Sequence, residues 1–577
     1  MAIITEDNKL QSVNINLVLD VIAKEVKQED RLCRQVIYTL LSMYTKDPIN
    51  LAINAPTGEG KSYPVKKVAE IFPRSDVIFL SAMSDKALFH RPGVLVIKND
   101  KGEYQPVEDK VAEIDSEIED KKCEFTAAQS LDLKKGLKSQ IKNLQDEKEE
   151  LTKDAMKLID LNHKALIFLD TPNHTLLEAI MSLLSHDHHE VEYHFVDNSN
   201  GIKTKTNVLR GFPTVIFTAA IDYSKYQRWP EIQRRFIVTN PKMTPEKYKE
   251  SIELMSAKNG LPDFVYNATV VSESEKNQAR EMIKELKENI LYVSERNGFD
   301  SRNVFIPFRE SIEKSLPTDK ASDMTTAQRL YSYLTLLPII NIDKRPRLVT
   351  RREGDPISKI CPFATFEDLQ ESAYLMEYSN GVRPYVLEWY NEVFLNRYSE
   401  INHATIDNDG STGLTSRQLA DATFQIKQRR SSSKQILENY IEPLVNAGYI
   451  DKVENKEDRR SYLFYPVLNI KIRKLFDSTQ SSNLSQQKIV SIINPTIFPD
   501  RNYLISKIQG VLKYSSEIHK ITKLENHEGS EITAEELVDQ YYKDPDKYFE
   551  VNGNSDAPNG GNRNIYFQYN FRARNKK

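Results

Sequence analysis

The first 260 residues contain short apolar runs separated by segments with helical spacing, and this pattern predicts an α/β fold. Residues 14–44 have apolar positions every three or four residues, as on one face of a helix. A short apolar run at Ile49–Ile53 then leads through a glycine-containing turn into another helical stretch. Further apolar runs have the length of buried strands, and they are Asp76–Leu80, Lys164–Asp170 and Thr214–Thr218. We expect an α/β core over 46–106 and 162–260, preceded by an N-terminal helical segment over 1–45.

Residues 107–161 interrupt this core with a different composition. The segment is dense in lysine, glutamate and aspartate, and its apolar residues recur every three and four positions from Val107 to Leu151. This pattern predicts a charged helical hairpin or coiled-coil pair. Two roles are open for it, a solvated brace of the domain or an arm that binds a protein partner.

The chain after residue 260 divides into three segments. Residues 261–400 are mainly helical and predict a lid domain. Residues 410–470 contain two capped helices followed by two strands, the order of a winged helix. Residues 480–577 form a C-terminal segment, in which the run Gly553–Asn564 is rich in Gly, Asn and Pro and predicts a flexible loop.

Composition and charge narrow the possible classes of protein. Of the 577 residues, 39% are hydrophobic and 28% are charged, which allows several packed domains. The net charge of −4 gives no global basic field, so any contact with nucleic acid must come from local patches. The three cysteines are scattered, which argues against a disulfide framework or a cysteine-ligated zinc. The N-terminus lacks the apolar stretch of a signal peptide and the longest apolar runs are strand-sized, so we expect a cytoplasmic protein without membrane contact.

The turn after the first apolar run contains a phosphate-loop motif. Its sequence, APTGEGKS over residues 55–62, matches the P-loop pattern except that alanine replaces the first glycine. Glycines let backbone N–H groups approach phosphate oxygens, the lysine reaches the β- and γ-phosphates, and the serine hydroxyl binds Mg²⁺. The motif predicts ATP and Mg²⁺ as cofactors, with the nucleotide bound by Ala55, Thr57, Gly58, Glu59, Gly60, Lys61 and Ser62.

An aspartate completes the predicted metal site. Asp170 ends the apolar run that follows the charged segment, and P-loop enzymes hold Mg²⁺ with an aspartate at the end of a buried strand. We therefore expect Ser62 and Asp170 to hold the metal ion.

The order of elements after Asp170 resembles that of AAA+ ATPases with a pre-sensor hairpin. A β-hairpin signature over residues 188–210 precedes the apolar run that ends at Thr218, and Arg234 and Arg235 follow. This order is similar to that of the minichromosome-maintenance and superfamily-III helicases. The run Lys164–Phe236 also resembles a family of uncharacterised primase- or helicase-like ATPases from bacteria, archaea and mobile elements. The similarity covers roughly residues 30–470 without the charged segment, and because no primase-type zinc finger is present, it does not imply priming.

The resemblance implies an AAA+-like ATPase that forms a homo-oligomer, with a ring as one possible form. Thr218 would then sense the γ-phosphate, and Arg234 or Arg235 would reach the γ-phosphate of a neighbouring subunit. The expected architecture is an α/β P-loop (AAA+-like) ATPase core, followed by a mainly helical lid region and an α+β winged-helix domain.

One residue departs from the family pattern. Thr171 follows Asp170, where many of these proteins have the glutamate that polarises the attacking water. A threonine cannot act as a general base near neutral pH. Either another group replaces that glutamate, with Glu59 or a neighbouring subunit as candidates, or hydrolysis is slow.

Basic residues in two segments are candidate contacts for nucleic acid. Lys203 and Lys205 share one strand face near the hairpin tip, and in the helicases named above such a hairpin touches DNA. Arg430 and Lys434 lie at the start of the second helix of the predicted winged helix, and Arg459 lies in its wing. The alternatives are a solvated hairpin tip and a winged helix that contacts protein.

Four histidines crowd the start of the hairpin, and they are His186, His188, His189 and His194. No cysteine is nearby and no helix carries HxxxH spacing, so we expect solvent-facing and helix-capping roles here rather than zinc binding.

Together these features predict an ATP-binding and ATP-hydrolysing protein that acts on single- or double-stranded DNA. One hypothesis is a helicase or translocase of replication or of a mobile element. Another is an ATP-dependent DNA-binding switch, such as a replication initiator or regulator. Thr171 favours the switch and the hairpin favours the helicase. A third hypothesis, a small-molecule kinase, is opposed by the long helical and winged-helix extensions.

Overall fold

The computed structural model describes most of the chain between residues 13 and 542. The described residues are 10, 13–80, 88, 91–99, 102–127, 130–153, 155–172, 174–197, 203–220, 234–242, 244–298, 304–315, 321–376, 386, 389–402, 412–428, 430–447, 449–455, 461–466, 491–492, 500–542 and 566–567. The chain divides into two compact units, a first unit of Met1–Val77 with Ile216–Lys577 and a second unit of Ile78–Val215. Within the described part of the chain, no helix is both long and apolar enough to cross a membrane.

Helices and strands are numbered in chain order. The helices are α1 (Ile15–Glu25), α2 (Asp30–Ser42), α3 (Ser62–Ala69), α4 (Val107–Ala127), α5 (Leu131–Lys153), α6 (His174–Leu184), α7 (Pro245–Gly260), α8 (Asp263–Thr269), α9 (Glu273–Asn297), α10 (Arg309–Ser315), α11 (Ala321–Ile340), α12 (Phe366–Met376), α13 (Asn396–Asn402), α14 (Ser416–Lys427), α15 (Ser433–Ile436), α16 (Glu442–Ala447), α17 (Arg501–Ile518) and α18 (Ala534–Tyr542). The strands are β1 (Leu51–Asn54), β2 (Val77–Leu80), β3 (Val94–Lys98), β4 (Tyr104–Pro106), β5 (Met156–Asp160), β6 (Ala165–Phe168), β7 (Glu190–Asp197), β8 (Lys203–Arg210), β9 (Thr214–Ala219), β10 (Ile237–Thr239), β11 (Arg347–Arg351), β12 (Lys359–Pro362), β13 (Ile450–Glu454), β14 (Tyr462–Pro466), β15 (Ser491–Ile492), β16 (Ile521–Glu525) and β17 (Tyr566–Phe567). Two π-helical turns, Tyr390–Leu395 and Leu437–Ile441, run directly into α13 and α16, and a 3₁₀ turn spans Ile342–Lys344.

A five-stranded sheet with the order β10-β1-β9-β6-β2 confirms the predicted α/β character of the fold. In the first unit, β1 pairs in parallel with β9 on one side and β10 on the other. Every residue of β1 is buried, and its first three residues are apolar, as expected for a strand of a parallel sheet that is covered on both faces. The four predicted strands are present as β1, β2, β6 and β9, with ends shifted by at most two residues.

The helix α9 docks the lid region onto the helices and loops around β1. It begins with a capping box between Ser272 and Glu275, and its buried stripe includes Ile283, Leu286 and Ile290. Its polar face makes ion pairs along its length, and they are Glu275–Lys24, Lys276–Glu25 and Lys287–Asp76. The predicted helical region 261–400 therefore contains a long amphipathic helix with contacts to α1 and to the segment before β2.

Part of the C-terminal segment belongs to the lid region. Strand β16 pairs antiparallel with β11, in a three-stranded sheet of order β12-β11-β16. The Tyr541 hydroxyl donates a hydrogen bond of 3.0 Å to the carbonyl of Ala364. Within the predicted C-terminal segment 480–577, the strand β16 therefore completes a sheet whose other strands lie between Arg347 and Pro362. The predicted loop Gly553–Asn564 lies outside the described residues.

Residues 389–466 form a module with its own core, larger than the predicted 410–470. Two capped helices and the antiparallel hairpin β13–β14 are present as predicted. The helical stretch from Trp389 to Asn402 packs into the same core through Trp389 and Phe394. The indole N–H of Trp389 donates a hydrogen bond of 2.9 Å to the Thr423 hydroxyl. This stretch, which the sequence placed in the predicted lid, therefore packs against α14 in the core of the module.

The second unit contains a sheet that the sequence pattern did not reveal. Its five strands have the order β4-β3-β5-β8-β7, with β7 and β8 paired antiparallel as the predicted hairpin. Helices α4 and α5 confirm the predicted helical pair, and the Lys148 ammonium lies 2.6 Å from a carboxylate oxygen of Asp115. The predicted segment 107–161 is not helical throughout, because β5 lies between β3 and β8.

Candidate functional site

The phosphate-loop motif occupies the turn between β1 and α3 in the first unit. Ala55 is buried, and its N–H donates a hydrogen bond of 3.0 Å to the carbonyl of Ala219 at the end of β9. The loop then leaves the sheet, and Thr57 and Gly58 are exposed. It returns to a helix at Ser62, the first residue of α3. The loop therefore lies at the carboxyl ends of parallel strands, where open α/β sheets bind their ligands.

Two glycines give the loop its shape. The φ angles are +94° at Gly58 and +75° at Gly60, values that residues with a side chain rarely adopt. A Cβ atom added at either position would meet nothing within 4 Å. Glycine is therefore required here by backbone conformation rather than by crowding, and the outer side of the loop is open to a ligand.

The side chains of Lys61 and Ser62 make contacts with different parts of the first unit. The Lys61 ammonium donates hydrogen bonds to the carbonyls of Ala55 at 3.2 Å and Pro56 at 3.5 Å, so it lies across the loop. The Ser62 hydroxyl is 3.1 Å from the hydroxyl of Thr218. Thr218 is fully buried on β9, directly beside Ile53 of β1. The structure thus brings together the loop, Lys61, Ser62 and Thr218.

A lysine that the sequence did not single out also contacts the loop. Lys247, in the first turn of α7, donates a hydrogen bond of 3.0 Å to the carbonyl of Glu59. Its ammonium is 2.6 Å from the carboxylate of Glu29, whose side chain is 3% exposed. Burial raises the pKa of Glu29, although Lys247 opposes this effect. The Thr-Pro pair at 244–245 predicts a helix start, but no local pattern indicates that this lysine reaches a loop 188 residues earlier.

The carboxylate of Glu59 is also engaged. The Tyr248 hydroxyl donates a hydrogen bond of 2.7 Å to it. Burial and the neighbouring Glu59 raise the pKa of Tyr248 to about 12, so this hydroxyl keeps its proton near neutral pH. Glu59 was the candidate replacement for the missing catalytic glutamate, and here its carboxylate is bound to α7.

Asp170 lies in the second unit, two residues after the end of β6. It is exposed, and one of its carboxylate oxygens accepts a hydrogen bond of 2.8 Å from the backbone N–H of Thr171. Its predicted role as a second Mg²⁺ ligand stays a prediction.

Arg234 and Arg235 lie at the other end of the sheet from the phosphate loop. They precede β10, whose first residue pairs with Leu51 at the start of β1. The Asn50 side chain donates a hydrogen bond of 3.4 Å to the carbonyl of Arg235. At about 3.3 Å per residue, the four residues of β1 separate the two ends by about 13 Å. The predicted contact of Arg234 or Arg235 with the γ-phosphate of a neighbouring subunit stays a prediction.

The candidate nucleic-acid residues fall in separate places. On β8, Lys203 pairs with Asp197 and Lys205 pairs with Phe195. The Arg430 guanidinium is exposed and lies 5.4 Å from the centre of the Phe424 ring. The Lys434 side chain is 83% exposed, and its ammonium is 3.8 Å from a carboxylate oxygen of Glu438. Arg459 lies outside the described residues.

The histidines near the hairpin make contacts other than metal ligation. His186 and His189 pack against the ring of Phe212, with ring centres 4.8 Å and 5.0 Å away. The Nδ1 atom of His194 is 2.9 Å from the Thr206 hydroxyl. Among the residues that the structure describes, no three His, Cys, Asp or Glu side chains are grouped so that they could hold a metal ion.

Comparison with known proteins adds no family assignment. No protein-family model matches this sequence, and no curated protein matches it at a significant level.

Proposed function

We propose that this chain binds ATP with Mg²⁺ at the phosphate loop and uses the nucleotide to act on DNA as a helicase- or translocase-like AAA+ ATPase. The observation that supports this most directly is the arrangement of the loop, Lys61, Ser62 and Thr218 at the carboxyl end of β1. A glycine-shaped turn with an open outer side, followed by a helix, offers backbone N–H groups and a helix N-terminus to phosphate oxygens.

Each residue at the loop has a separate proposed role in binding a triphosphate and its metal ion. Lys61 would exchange its contacts with the loop carbonyls for contacts with phosphate oxygens, which neutralises their charge. Thr218 would orient the hydroxyl of Ser62, a ligand of the metal ion. Bound Mg²⁺ would supply positive charge between the phosphates. Asp170 is proposed as the second group that holds the metal.

DNA is proposed as the partner because of the module at 389–466. Three helical stretches followed by a hairpin have the order of a winged helix, and Arg430 and Lys434 flank the start of its last helix. Both side chains are exposed, as phosphate contacts require. Lys203 and Lys205 at the tip end of β8 are a second proposed contact.

One observation favours a second candidate, an ATP-dependent switch with slow hydrolysis. The carboxylate of Glu59 accepts a hydrogen bond from Tyr248, and Thr171 occupies the position of the usual catalytic glutamate. A carboxylate held by a tyrosine is poorly placed to polarise a water molecule. A switch of this kind would bind ATP tightly, assemble on DNA and turn over slowly.

Nucleotide titration of the Lys61→Ala variant tests the proposal. We expect the affinity for a fluorescent ATP analogue to fall on the order of 100-fold, because charged hydrogen bonds to phosphate are lost. The half-buried side chain packs little, so thermal unfolding should change little. The control is Lys66→Ala, which removes an exposed lysine of α3 and should bind like the wild type. Unchanged affinity in Lys61→Ala would reject the proposed site.

Turnover separates the two candidates. A helicase or translocase should hydrolyse ATP faster when single-stranded DNA is added, whereas a switch should bind ATP and DNA with little hydrolysis. Both measurements need a sample whose oligomeric state is known from size-exclusion chromatography with light scattering.

A further inference from the structure

Lys247 connects three parts of the first unit through a single ammonium group. It donates hydrogen bonds to the carbonyl of Glu59 at 3.0 Å and to that of Lys242 at 2.8 Å. Its third contact is with the carboxylate of Glu29 at 2.6 Å, just before α2. Glu29 in turn accepts a hydrogen bond of 3.1 Å from the N–H of Lys242. The group is thus tied to the phosphate loop, to the segment after β10 and to the start of α2.

The contact with Glu59 has a geometric consequence for the loop. In a planar trans peptide, the carbonyl and the N–H of the following residue point in opposite directions. When the ammonium of Lys247 holds the carbonyl of Glu59, the N–H of Gly60 is directed away from Lys247. Gly60 has a φ of +75° and no side chain to restrict it, so this peptide would otherwise rotate easily.

A purely stabilising role does not explain well why Lys247 and Glu29 form a buried ion pair. The side chains of Lys247 and Glu29 are only 9% and 3% exposed. A buried ion pair is often no more stabilising than an apolar pair of the same size, because both charges lose their hydration. Two of the three contacts of the ammonium are with backbone carbonyls, whose orientation it fixes.

We propose that Lys247 is a positioning residue of the phosphate loop, which sets the orientation of the Glu59–Gly60 peptide for phosphate binding. This inference rests on the proposed function of the loop as a nucleotide site. Tyr248 adds to the effect, since its hydrogen bond to the Glu59 side chain anchors the same residue from the next position of α7. The first turn of α7 therefore holds both the backbone and the side chain of Glu59.

Hydrogen exchange of the nucleotide-free protein tests the inference directly. In Lys247→Met, Glu29 would be left as a buried unpaired charge, so the informative variant is the double change Lys247→Met with Glu29→Gln. We expect the amides of the peptide covering residues 57–62 to exchange about 10-fold faster than in the wild type, because the hydrogen bond that anchors the loop is lost. Lys247→Arg together with the native Glu29 should restore much of the protection.

Nucleotide affinity provides the second measurement. The double variant should bind the ATP analogue about 10-fold more weakly. The reason is that the loop loses a hydrogen bond that orders it before the nucleotide binds. The matched control is Lys249→Met, an exposed lysine two positions along the same helix. Its exchange and affinity should both match the wild type, and thermal unfolding of every variant should show one intact fold.

The outcomes distinguish this inference from the proposed function. Wild-type exchange over residues 57–62 in the double variant would overturn the inference, and so would faster exchange with unchanged affinity. If the wild-type protein itself binds no nucleotide, the proposed function fails and the positioning role for phosphate binding fails with it. If Lys61→Ala abolishes binding while the double variant behaves like the wild type, only the inference is overturned.

Discussion

At the scale of single residues, Gly58 and Gly60 give the turn after β1 the shape on which the proposed phosphate site depends. Both have positive φ angles, and a Cβ atom would meet open space at both positions. The cost of a side chain here is therefore backbone strain, which is of order 1–2 kcal/mol per residue in the left-handed region. That cost falls on the loop itself rather than on the core of the domain.

Gly60→Ala should consequently weaken nucleotide binding more than it weakens the fold. We expect the free energy of unfolding to fall by about 1–2 kcal/mol and the affinity for the ATP analogue to fall at least about 10-fold, because alanine shifts the loop away from its φ of +75°. Urea unfolding and titration measure the two effects. The control is Gly136→Ala within α5, where the added Cβ also meets nothing within 4 Å and a helical backbone should gain up to about 1 kcal/mol. Equal affinity of Gly60→Ala and the wild type for the ATP analogue would contradict the proposal that this loop binds the nucleotide.

The local part of the site could be predicted from the sequence, and its tertiary part could not. The strand, turn and helix around Gly58, Gly60 and Lys61 are encoded within the adjacent residues Leu51 to Ala69. The contact of Lys247 with Glu59 joins residues 188 positions apart, which no periodicity records. The placement of Arg234 opposite to the loop likewise depends on the parallel register of β1 and β10.

At the scale of elements, α9 shows how polar contacts fix a helix onto the core. The carboxylate of Asp76, just before β2, accepts hydrogen bonds from the Lys287 ammonium at 2.6 Å and the Tyr44 hydroxyl at 2.7 Å. Burial alone would raise the pKa of Asp76, but Lys287 and Tyr44 outweigh it and hold the pKa below its ordinary value. A lowered pKa means that the folded state favours the charged carboxylate.

Asp76→Asn should destabilise the protein in a pH-dependent way. Because the folded pKa is lowered, this stabilisation is present above the ordinary aspartate pKa of 3.8 and is lost as the pH falls through the folded value. We expect the variant to lose about 1–3 kcal/mol at pH 7, with the difference from the wild type shrinking below pH 3.8. Urea midpoints at a series of pH values measure this. Glu288→Gln, an exposed position of α9, should behave like the wild type, and a pH-independent loss in Asp76→Asn would contradict the argument.

The sequence pattern located most helices and several strands, but it did not predict which elements some of them pack against or pair with. The apolar spacing before Asn402 gives a helix, yet whether its face meets the lid or α14 depends on Trp389 packing in the module core. The strand β16 is short, and its partner β11 lies some 170 residues earlier in the chain. Such long-range pairings reflect the packing of whole surfaces, which local propensity does not determine.

The module 389–466 gives a prediction about DNA. In the full-length chain, changing both Arg430 and Lys434 to alanine should weaken binding of duplex DNA, because each phosphate contact releases counterions. The slope of log affinity against log salt should become shallower by about 1.8, or about 0.9 for each contact. Arg459→Ala should have a milder effect, since a wing usually touches only the backbone. Fluorescence anisotropy at several salt concentrations measures these changes.

Lys513, an exposed lysine of α17, provides the control for this experiment, and Lys513→Ala should leave the affinity and the salt slope unchanged. If the double variant binds DNA like the wild type, the module contacts protein instead. Lys203 and Lys205 would then be the remaining proposed contacts.

At the scale of the whole molecule, the phosphate loop and the arginine pair lie at opposite ends of β1. We expect a homo-oligomer in which Arg234 or Arg235 of one copy contacts the nucleotide bound by the next copy. Such an interface joins two different surfaces and closes into a ring when the rotation permits. Exposure of Arg234 is consistent with a contact outside its own chain.

Mixing two inactive variants tests this arrangement. Lys61→Ala retains the arginines and lacks a working phosphate loop, whereas Arg234→Ala with Arg235→Ala retains the loop and lacks the arginines. The arginine variant alone should hydrolyse ATP about 10³-fold more slowly than the wild type, because an arginine of this kind stabilises charge in the transition state. Lys61→Ala alone should also be slow, because it binds the nucleotide weakly. A mixture should recover part of the activity, because some interfaces then pair an intact loop with intact arginines. Light scattering of the wild type with ATP and DNA should show an oligomer. A monomer under those conditions, or a mixture no more active than its components, would contradict the arrangement and would leave Arg234 and Arg235 without a role at the phosphate.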